Sequence, residues 1–241
     1  MTVRIAMWSG PRNISTAMMR AWSSRADTAV VDEPFYAAYL AETGLDHPMR
    51  EQILASQSND WASVANECAT GMRTPVIFQK HMCQHMVPQA PMAWMDACRH
   101  AFLIRPPGEV AASFGQKWDG WGPEDLGFRR QGELFDHVCQ ITGNAPPVVL
   151  AADVLADPAG MLSALCIALE VPWDPAMLSW SAGPHADDGV WAAHWYNSVL
   201  SSTGFVPPPD RAKAPDPSAA DAIAECEPYF QAMLRHRLQP L

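Results

Sequence analysis

Short apolar runs that alternate with helical stretches constrain the fold of this chain more than any other feature of its sequence. Five runs of strand length are separated by segments with helical periodicity. The runs are Val3–Trp8, Thr28–Asp32, Pro75–Lys80, His100–Ile104 and Pro147–Ala152. Strands that alternate with helices indicate a parallel sheet covered by helices on both faces. We therefore predict a three-layer α/β fold, with a parallel sheet of the P-loop type flanked by helices.

The helical stretches and the length of the chain predict a single domain. Helical periodicity begins at Ser15 and recurs in five later stretches. These are Pro91–Arg99, Glu109–Lys117, Gly127–Thr142, Ala159–Leu169 and Ala219–Arg237. The 241 residues suffice for one large α/β domain with a buried core. We expect one domain over residues 1–241, in which the proline-rich segment 207–217 forms a loop before the last helix.

Composition narrows the classes of partner and the compartment. The formal net charge of −10 disfavours nucleic acid and anionic membranes, so an anionic ligand needs a local basic pocket. The six cysteines form no CxxC pair, so we expect free thiols and no metal knuckle. The N-terminal run is too short for a signal peptide, and no apolar run has membrane-spanning length. A cytoplasmic location and a small-molecule partner are expected, and the sequence leaves homo-oligomer formation open.

The turn after the first apolar run has the features of an anion-binding loop. Residues 8–17 read Trp-Ser-Gly-Pro-Arg-Asn-Ile-Ser-Thr-Ala. A turn between a strand and a helix start presents free backbone N–H groups and the positive end of the helix dipole. Arg12 adds a guanidinium fork, and Ser15 and Thr16 add hydroxyl donors. The Walker pattern would require Gly-Lys-Ser/Thr at its last three positions, and the lysine is missing here, which disfavours a conventional ATPase or kinase.

At this loop the chain resembles the sulfotransferases. Their phosphosulfate loop reads roughly Pro-Lys/Arg-Ser-Gly-Thr-Thr, and the segment from Pro11 to Thr16 matches it in register. Ile14 replaces the usual glycine. The resemblance implies that Arg12, Asn13, Ile14, Ser15 and Thr16 bind the 5′-phosphosulfate of 3′-phosphoadenosine 5′-phosphosulfate (PAPS), with adenosine 3′,5′-bisphosphate as the product and no metal.

A second segment is similar to the family's site for the 3′-phosphate. An apolar strand ends at Arg105, a proline turn follows, and Ser113 comes eight residues later in a helix. The same spacing between arginine and serine occurs in the family's segment, although Pro106 stands where aspartate is common there. An arginine at a strand end and a serine about one helical turn further can converge on one dianion. The resemblance implies that Arg105 and Ser113 bind the 3′-phosphate.

Candidates for chemistry follow the second and third runs. Sulfuryl transfer requires a base for the acceptor proton and positive charge at the sulfuryl and leaving oxygens. The resemblance implies Glu33 as the base, because several branches place a glutamate after the second strand, and Pro34 predicts an extended backbone there. It likewise implies Lys80 as the stabilising charge. His81 and His85 are the alternative bases or acceptor contacts.

The segment after residue 147 adds supporting resemblance and two open alternatives. A strand followed by Asp153 and Asp157-Pro158 is similar to the family's Asp-Leu-x-x-Asp-Pro segment. Trp191 lies in a Gly/Trp/His stretch similar to the family's loop over the nucleotide, so it or Trp195 is a candidate for stacking on adenine or for lining the acceptor pocket. One alternative is a small-molecule kinase with a degenerate loop, which would bind magnesium through Asp32 or Asp153. The other is a non-catalytic nucleotide-binding protein.

Overall fold

The computed structural model describes residues 2–71, 74–116, 120–207 and 214–241. Its sheet has five strands. These are β1 (Val3–Ser9), β2 (Thr28–Asp32), β3 (Val76–Met82), β4 (Arg99–Ile104) and β5 (Val148–Leu150). All neighbouring strands pair in parallel in the order β2-β3-β1-β4-β5. The predicted parallel sheet is therefore confirmed.

Helices connect and flank these strands in the described residues. They are α1 (Ser15–Ser23), α2 (Tyr36–Thr43), α3 (Arg50–Ser56), α4 (Trp61–Thr70), α5 (Pro107–Phe114), α6 (Pro123–Leu126), α7 (Phe128–Thr142), α8 (Ala151–Ala156), α9 (Pro158–Ala168), α10 (Ala192–Trp195), α11 (Asn197–Leu200) and α12 (Ala220–Leu234). Side chains of a strand alternate between the two faces of a sheet, and every residue of Val76–Met82 is buried. Both faces are therefore covered, which confirms the predicted α/β class with flanking helices.

Several boundaries differ from the sequence prediction. The predicted strand Pro147–Ala152 ends at Leu150, because the alanines at 151 and 152 are good helix formers and begin α8. The predicted helix Pro91–Arg99 is reduced to a 3₁₀ turn over Ala93–Ala97, since Arg99 already pairs in β4. Seven of the described helices were not predicted, namely α2, α3, α4, α6, α8, α10 and α11.

Two predicted segments extend beyond the described residues. The predicted helix Glu109–Lys117 corresponds to α5, and Lys117 lies outside the described residues. Most of the proline-rich segment 207–217 also lies outside them, whereas the helix predicted after it is present as α12. Among the residues that are described, no helix combines the length and the apolarity needed to span a bilayer.

The sheet order brings the candidate segments together at one edge. The carboxyl ends of β2, β3, β1 and β4 lie side by side. Glu33 directly follows β2, and Lys80 lies near the end of β3. The predicted anion-binding loop follows β1 after Ser9, and Arg105 directly follows β4. Ligands of open parallel sheets bind at this edge, where successive connections leave in opposite directions. The topology therefore positions four separate sequence segments around one site.

Candidate functional site

A cavity of about 220 Å³ opens at this edge of the sheet. Ten of the twelve predicted site residues line it. They are Arg12, Asn13, Ile14, Ser15, Thr16, Glu33, Lys80, His85, Arg105 and Ser113. We name its two ends after their predicted ligands. The phosphate end is formed by the loop after β1 together with Arg105 and Ser113, and the acceptor end is formed by the residues around Glu33, Tyr36 and Asp125. The sequence-predicted residues thus share one concave site, as ligand sites require.

Unusual backbone geometry shapes the loop of the phosphate end. Arg12 and Ile14 both have positive φ, 57° and 48°, although neither is glycine. The left-handed region is energetically unfavourable for a branched residue such as isoleucine and easily accessible to glycine. This conformational preference explains why the resembling loops carry glycine where this chain has Ile14. Gly10 is required for another reason, since a Cβ there would lie 2.7 Å from the carbonyl oxygen of Leu126. The loop is held in a specific, strained conformation of the kind found at functional sites.

Hydrogen bonds fix this loop to the end of β4. The amide nitrogen of Asn13 donates to the carbonyl of Leu103 at 2.6 Å, and Nη1 of Arg105 donates to the carbonyl of Arg12 at 2.8 Å. The Nε of Arg12 donates to Oγ of Ser113 at 3.0 Å. Asn13 therefore positions the loop by its side chain, while Ser15 and Thr16 begin α1 and place its N-terminal amides at the cavity.

Two guanidinium groups face each other at the phosphate end. Burial, followed by repulsion from Arg105, lowers the pKa of Arg12. Arg12 has no carboxylate partner among the described residues, whereas Nε of Arg105 pairs with Glu109 at 2.9 Å. Two neighbouring cations that repel each other, of which only Arg105 is paired with a carboxylate, are stabilised by a bound anion. The phosphate end is consequently suited to a phosphate or a sulfate group.

A buried ionic cluster lies between the two ends of the cavity. The ammonium of Lys80 donates to Asp32 at 2.9 Å, to Glu33, and to the hydroxyl of Tyr196 at 2.7 Å. That hydroxyl in turn donates to Asp32 at 2.7 Å and accepts from the indole of Trp191 at 2.9 Å. An ammonium has three donors, so Lys80 is fully satisfied. A ligand can gain a hydrogen bond from Lys80 only if one of these partners is exchanged.

Burial controls the protonation of this cluster. It raises the pKa of the Glu33 carboxyl above its ordinary value; the Lys80 ammonium opposes that shift, and the charge of Asp32 adds to it. Burial alone would lower the pKa of Lys80, but the charges of Asp32 and Glu33 overcome this and raise it. The pKa of Tyr196 is raised by burial and by both carboxylates. Lys80 is therefore a permanent cation, and Glu33 is a carboxylate of raised basicity.

The backbone of Glu33 contradicts the extended conformation expected before Pro34. Its φ is 44°, in the left-handed region, and its N–H donates to the carbonyl of Lys80 at 2.9 Å. The general bias of a residue that precedes proline is overridden here by this bond and by the contact of the Glu33 side chain with Lys80. The carboxylate is thereby directed into the sheet edge instead of along the chain.

The two histidine candidates lie in different places. His81 follows Lys80 in β3, so its side chain points to the opposite face, where it stacks on Trp8 with ring centroids 4.6 Å apart. It does not line the cavity, and burial lowers its pKa to about 3. His85 does line the cavity, and its Nδ1 lies 3.9 Å from Oε2 of Glu33. The alternation of side chains along β3 thus separates His81 from the site.

Trp191 is buried behind the cavity and does not line it. Its indole folds over Gly189, where a Cβ would lie 2.1 Å from the ring. The cavity wall carries Trp195 instead. Nothing in this geometry brings Trp191 to a nucleotide, and its visible role is the hydrogen bond to Tyr196.

Other lining residues were not identified from the sequence. Tyr36 and Tyr39 come from α2, Asp125 comes from α6, and Tyr196 comes from the segment after α10. The sequence does contain a signal that could have identified the two tyrosines. A helical pattern follows Pro34, and its tyrosines are three positions apart, so both lie on one face of the helix. Tyr196 gave no local signal, because the charged residues that it contacts, Lys80 and Asp32, are more than 110 residues away in the chain.

Comparisons with known proteins show the family and the fold of this chain. A sequence model described as "Sulfotransferase domain" matches residues 3–237. A sulfotransferase structure from Alicyclobacillus acidocaldarius superposes with a TM-score of 0.58 at 13% identity, covering 99% of this chain and 98% of that one. The sulfotransferase domain from the curacin biosynthetic pathway gives 0.52 at 14% identity, covering 100% and 99%. At these identities the solved structures show a shared fold.

Two curated relatives are closer in sequence and much longer. Branched-chain-amino-acid aminotransferase-like proteins 1 and 2 of Arabidopsis thaliana are 35% and 33% identical over 234 residues. The match covers 96% of this chain but only 42% and 41% of those proteins. The chain therefore spans about two fifths of the length of the curated relatives that it matches, and their names describe the longer proteins.

Proposed function

Because this chain belongs to the sulfotransferase domain family, we propose that it transfers the sulfuryl group of PAPS to a hydroxyl or amine of a small acceptor. The observation that carries the proposal is the shared cavity, in which both predicted anion-binding segments meet beside a buried carboxylate and lysine. Arg12 and the amides that begin α1 would bind the 5′-phosphosulfate. Arg105 and Ser113 would bind the 3′-phosphate.

The residues around Glu33 support an in-line transfer. The acceptor O–H would give its proton to the Glu33 carboxylate while its oxygen forms a bond to sulfur. The bond between sulfur and the bridging phosphate oxygen would break, which leaves adenosine 3′,5′-bisphosphate. The raised pKa of Glu33 makes it a stronger base than an exposed glutamate.

The contact between Glu33 and Lys80 would couple proton transfer to Glu33 with stabilisation of the leaving group by Lys80. Lys80 donates to Glu33 in the resting cluster. When Glu33 accepts a proton it loses its negative charge and holds Lys80 less strongly. One Lys80 donor would then become available as charge develops on the bridging oxygen, which is when stabilisation lowers the barrier.

No observation in the described residues favours the kinase alternative. Asp153 lies in α8 and does not line the cavity, and Asp32 is paired with Lys80. In the described part of the chain, no cluster of three or more His, Cys, Asp or Glu has the arrangement of a metal site. The experiment must nevertheless compare both classes of nucleotide directly.

Calorimetric titration with adenosine 3′,5′-bisphosphate, AMP and ATP–magnesium tests the donor. We expect the bisphosphate to bind roughly tenfold or more tightly than AMP, since a charge-assisted contact contributes about 1.5–3 kcal/mol. Equal affinities, or a preference for ATP–magnesium, would contradict the proposal. Transfer is then measured with labelled PAPS on a panel of alcohols, phenols and amines, with Arg12→Ala as the variant expected to weaken donor binding.

A further inference from the structure

The two ends of the cavity carry opposite charge. Arg12 and Arg105 lie at the phosphate end. At the acceptor end the described lining residues include one cation, Lys80, and it is already paired with both Asp32 and Glu33. Asp125 adds a further carboxylate there. Counted over the described residues, the acceptor end is consequently negative, whether Glu33 is ionised or protonated.

The histidines of the acceptor end do not offset this charge. Burial lowers the pKa of His47 to about 4, and it lowers the pKa of His85 well below its ordinary value. Both imidazoles are therefore neutral near pH 7. An acceptor with a carboxylate or phosphate would meet uncompensated negative charge at this end, whereas a cationic acceptor would be attracted.

Asp125 is available to a ligand. Its Oδ2 accepts the N–H of Gly122 at 2.8 Å, which caps the start of α6, and it forms no ion pair among the described residues. Its charge raises the pKa of both His47 and Tyr39, so it lies close to these two rings. A carboxylate that faces a cavity and has no cation partner among the described residues can pair with a cationic ligand.

Aromatic rings surround the same space. His85 stacks between Tyr36 and Tyr39, with centroid distances of 4.3 and 4.8 Å, and Trp195 completes the wall. The residue His85 is only 3% exposed, and its Nδ1 has no hydrogen-bond partner while it faces Oε2 of Glu33 at 3.9 Å. An unsatisfied buried nitrogen beside the base is suited to a hydrogen bond with a bound hydroxyl.

We propose that the acceptor is a small alcohol that carries a positively charged ammonium group, bound between Asp125 and the rings of Tyr39 and Trp195, with its hydroxyl at Glu33 and Nδ1 of His85. Aromatic faces attract ammonium groups, and a nearby carboxylate adds a direct ionic attraction. This inference rests on the proposed sulfotransfer for the identity of the reacting group. The charge preference itself belongs to the cavity and is measurable by binding alone.

The test compares three probes of similar size by ligand-observed NMR titration, with and without adenosine 3′,5′-bisphosphate. They are choline, its neutral isostere 3,3-dimethylbutan-1-ol, and the anionic 3-hydroxypropionate. We expect choline to bind about tenfold more tightly than the isostere, and 3-hydroxypropionate to bind most weakly. Asp125→Asn keeps the oxygen that caps α6 but removes the charge, so it should abolish most of the preference for choline.

A matched variant controls for the loss of one surface charge. Glu124→Gln changes the neighbouring residue of α6, whose exposed side chain pairs with Arg129, and it should leave the preference unchanged. Equal affinity for choline and its isostere, tighter binding of 3-hydroxypropionate, or no binding of choline would overturn the inference. Selectivity for choline without any binding of the bisphosphate would instead contradict the proposed sulfotransfer and leave the charge preference standing.

Discussion

The Nε of Arg12 donates a hydrogen bond to Oγ of Ser113 at 3.0 Å, although 101 positions separate the two residues. Arg105 extends the connection by donating to the carbonyl of Arg12. The two predicted phosphate segments are thus one hydrogen-bonded unit at the ends of β1 and β4. A ligand that bridges both segments should therefore couple them energetically.

Arg105→Gln should reduce the preference for adenosine 3′,5′-bisphosphate over AMP by roughly tenfold, because it removes the charge assigned to the 3′-phosphate. Calorimetry with both nucleotides measures the ratio. Arg129→Gln is the control, since its side chain is half exposed and pairs with Glu124 outside the cavity. If Arg105→Gln lowers the affinity for both nucleotides by the same factor, Arg105 does not recognise the 3′-phosphate.

Lys80→Ala should lower both kcat and the free energy of unfolding. It leaves Asp32 and Glu33 as buried carboxylates without their cation, which costs about 3–5 kcal/mol. Urea unfolding and transfer from labelled PAPS measure the two effects. The double variant Lys80→Met/Asp32→Asn should recover part of the stability but not the turnover. Normal rates in either folded variant would remove Lys80 from the mechanism.

Glu33→Gln should lower kcat by roughly 10²–10⁴ while leaving the affinity for adenosine 3′,5′-bisphosphate nearly intact. A base acts when ionised, so the rate in the natural sequence should rise with pH through the raised pKa of Glu33. The rising part of the pH–rate profile should disappear in Glu33→Gln. His85→Ala should lower kcat by a smaller factor than Glu33→Gln does. If His85→Ala abolishes transfer and Glu33→Gln does not, the histidine is the base.

Tyr196→Phe should destabilise the ionic cluster by about 1–3 kcal/mol, because Lys80, Asp32 and Trp191 each lose a hydrogen-bond partner. The pH at which the rate rises should also shift, since the hydroxyl contacts Glu33 at 3.3 Å. Tyr229→Phe in α12 is a control away from the cavity. A stability loss with an unchanged pH profile would limit Tyr196 to a structural role.

Stability should decrease as the pH falls below about 6.5. His81 and His100 are buried and neutral, with pKa values lowered to about 3 and about 4, so the unfolded chain binds more protons than the folded one in this range. Each histidine contributes at most about 1.4 kcal/mol per pH unit. Urea unfolding at pH 7 and pH 5 measures the slope. His81→Phe keeps the stacking on Trp8 but cannot be protonated, so it should flatten the slope; an unchanged slope would contradict this origin.

Local patterns were sufficient wherever the determinant lies within a few residues. The predicted phosphate loop spans consecutive residues and Ser113 follows Arg105 by only eight positions, and the structure places both segments at one cavity. Local patterns did not predict the direction of a side chain where a distant contact decides it. His81 adjoins Lys80 in sequence but faces the opposite side of β3, and the positive φ of Glu33 depends on its bond to Lys80.

The sequence by itself determined the strand and helix alternation, the loop that begins α1, and the residue types available for an anion. These depend on local conformational preferences and on side-chain periodicity. Only the tertiary structure decided that Tyr196 joins Lys80 and Asp32, and that Asp125 makes the acceptor end negative. The physical reason is that hydrogen bonds form between atoms about 3 Å apart and charges interact over roughly 10 Å, whatever the separation of the residues along the chain.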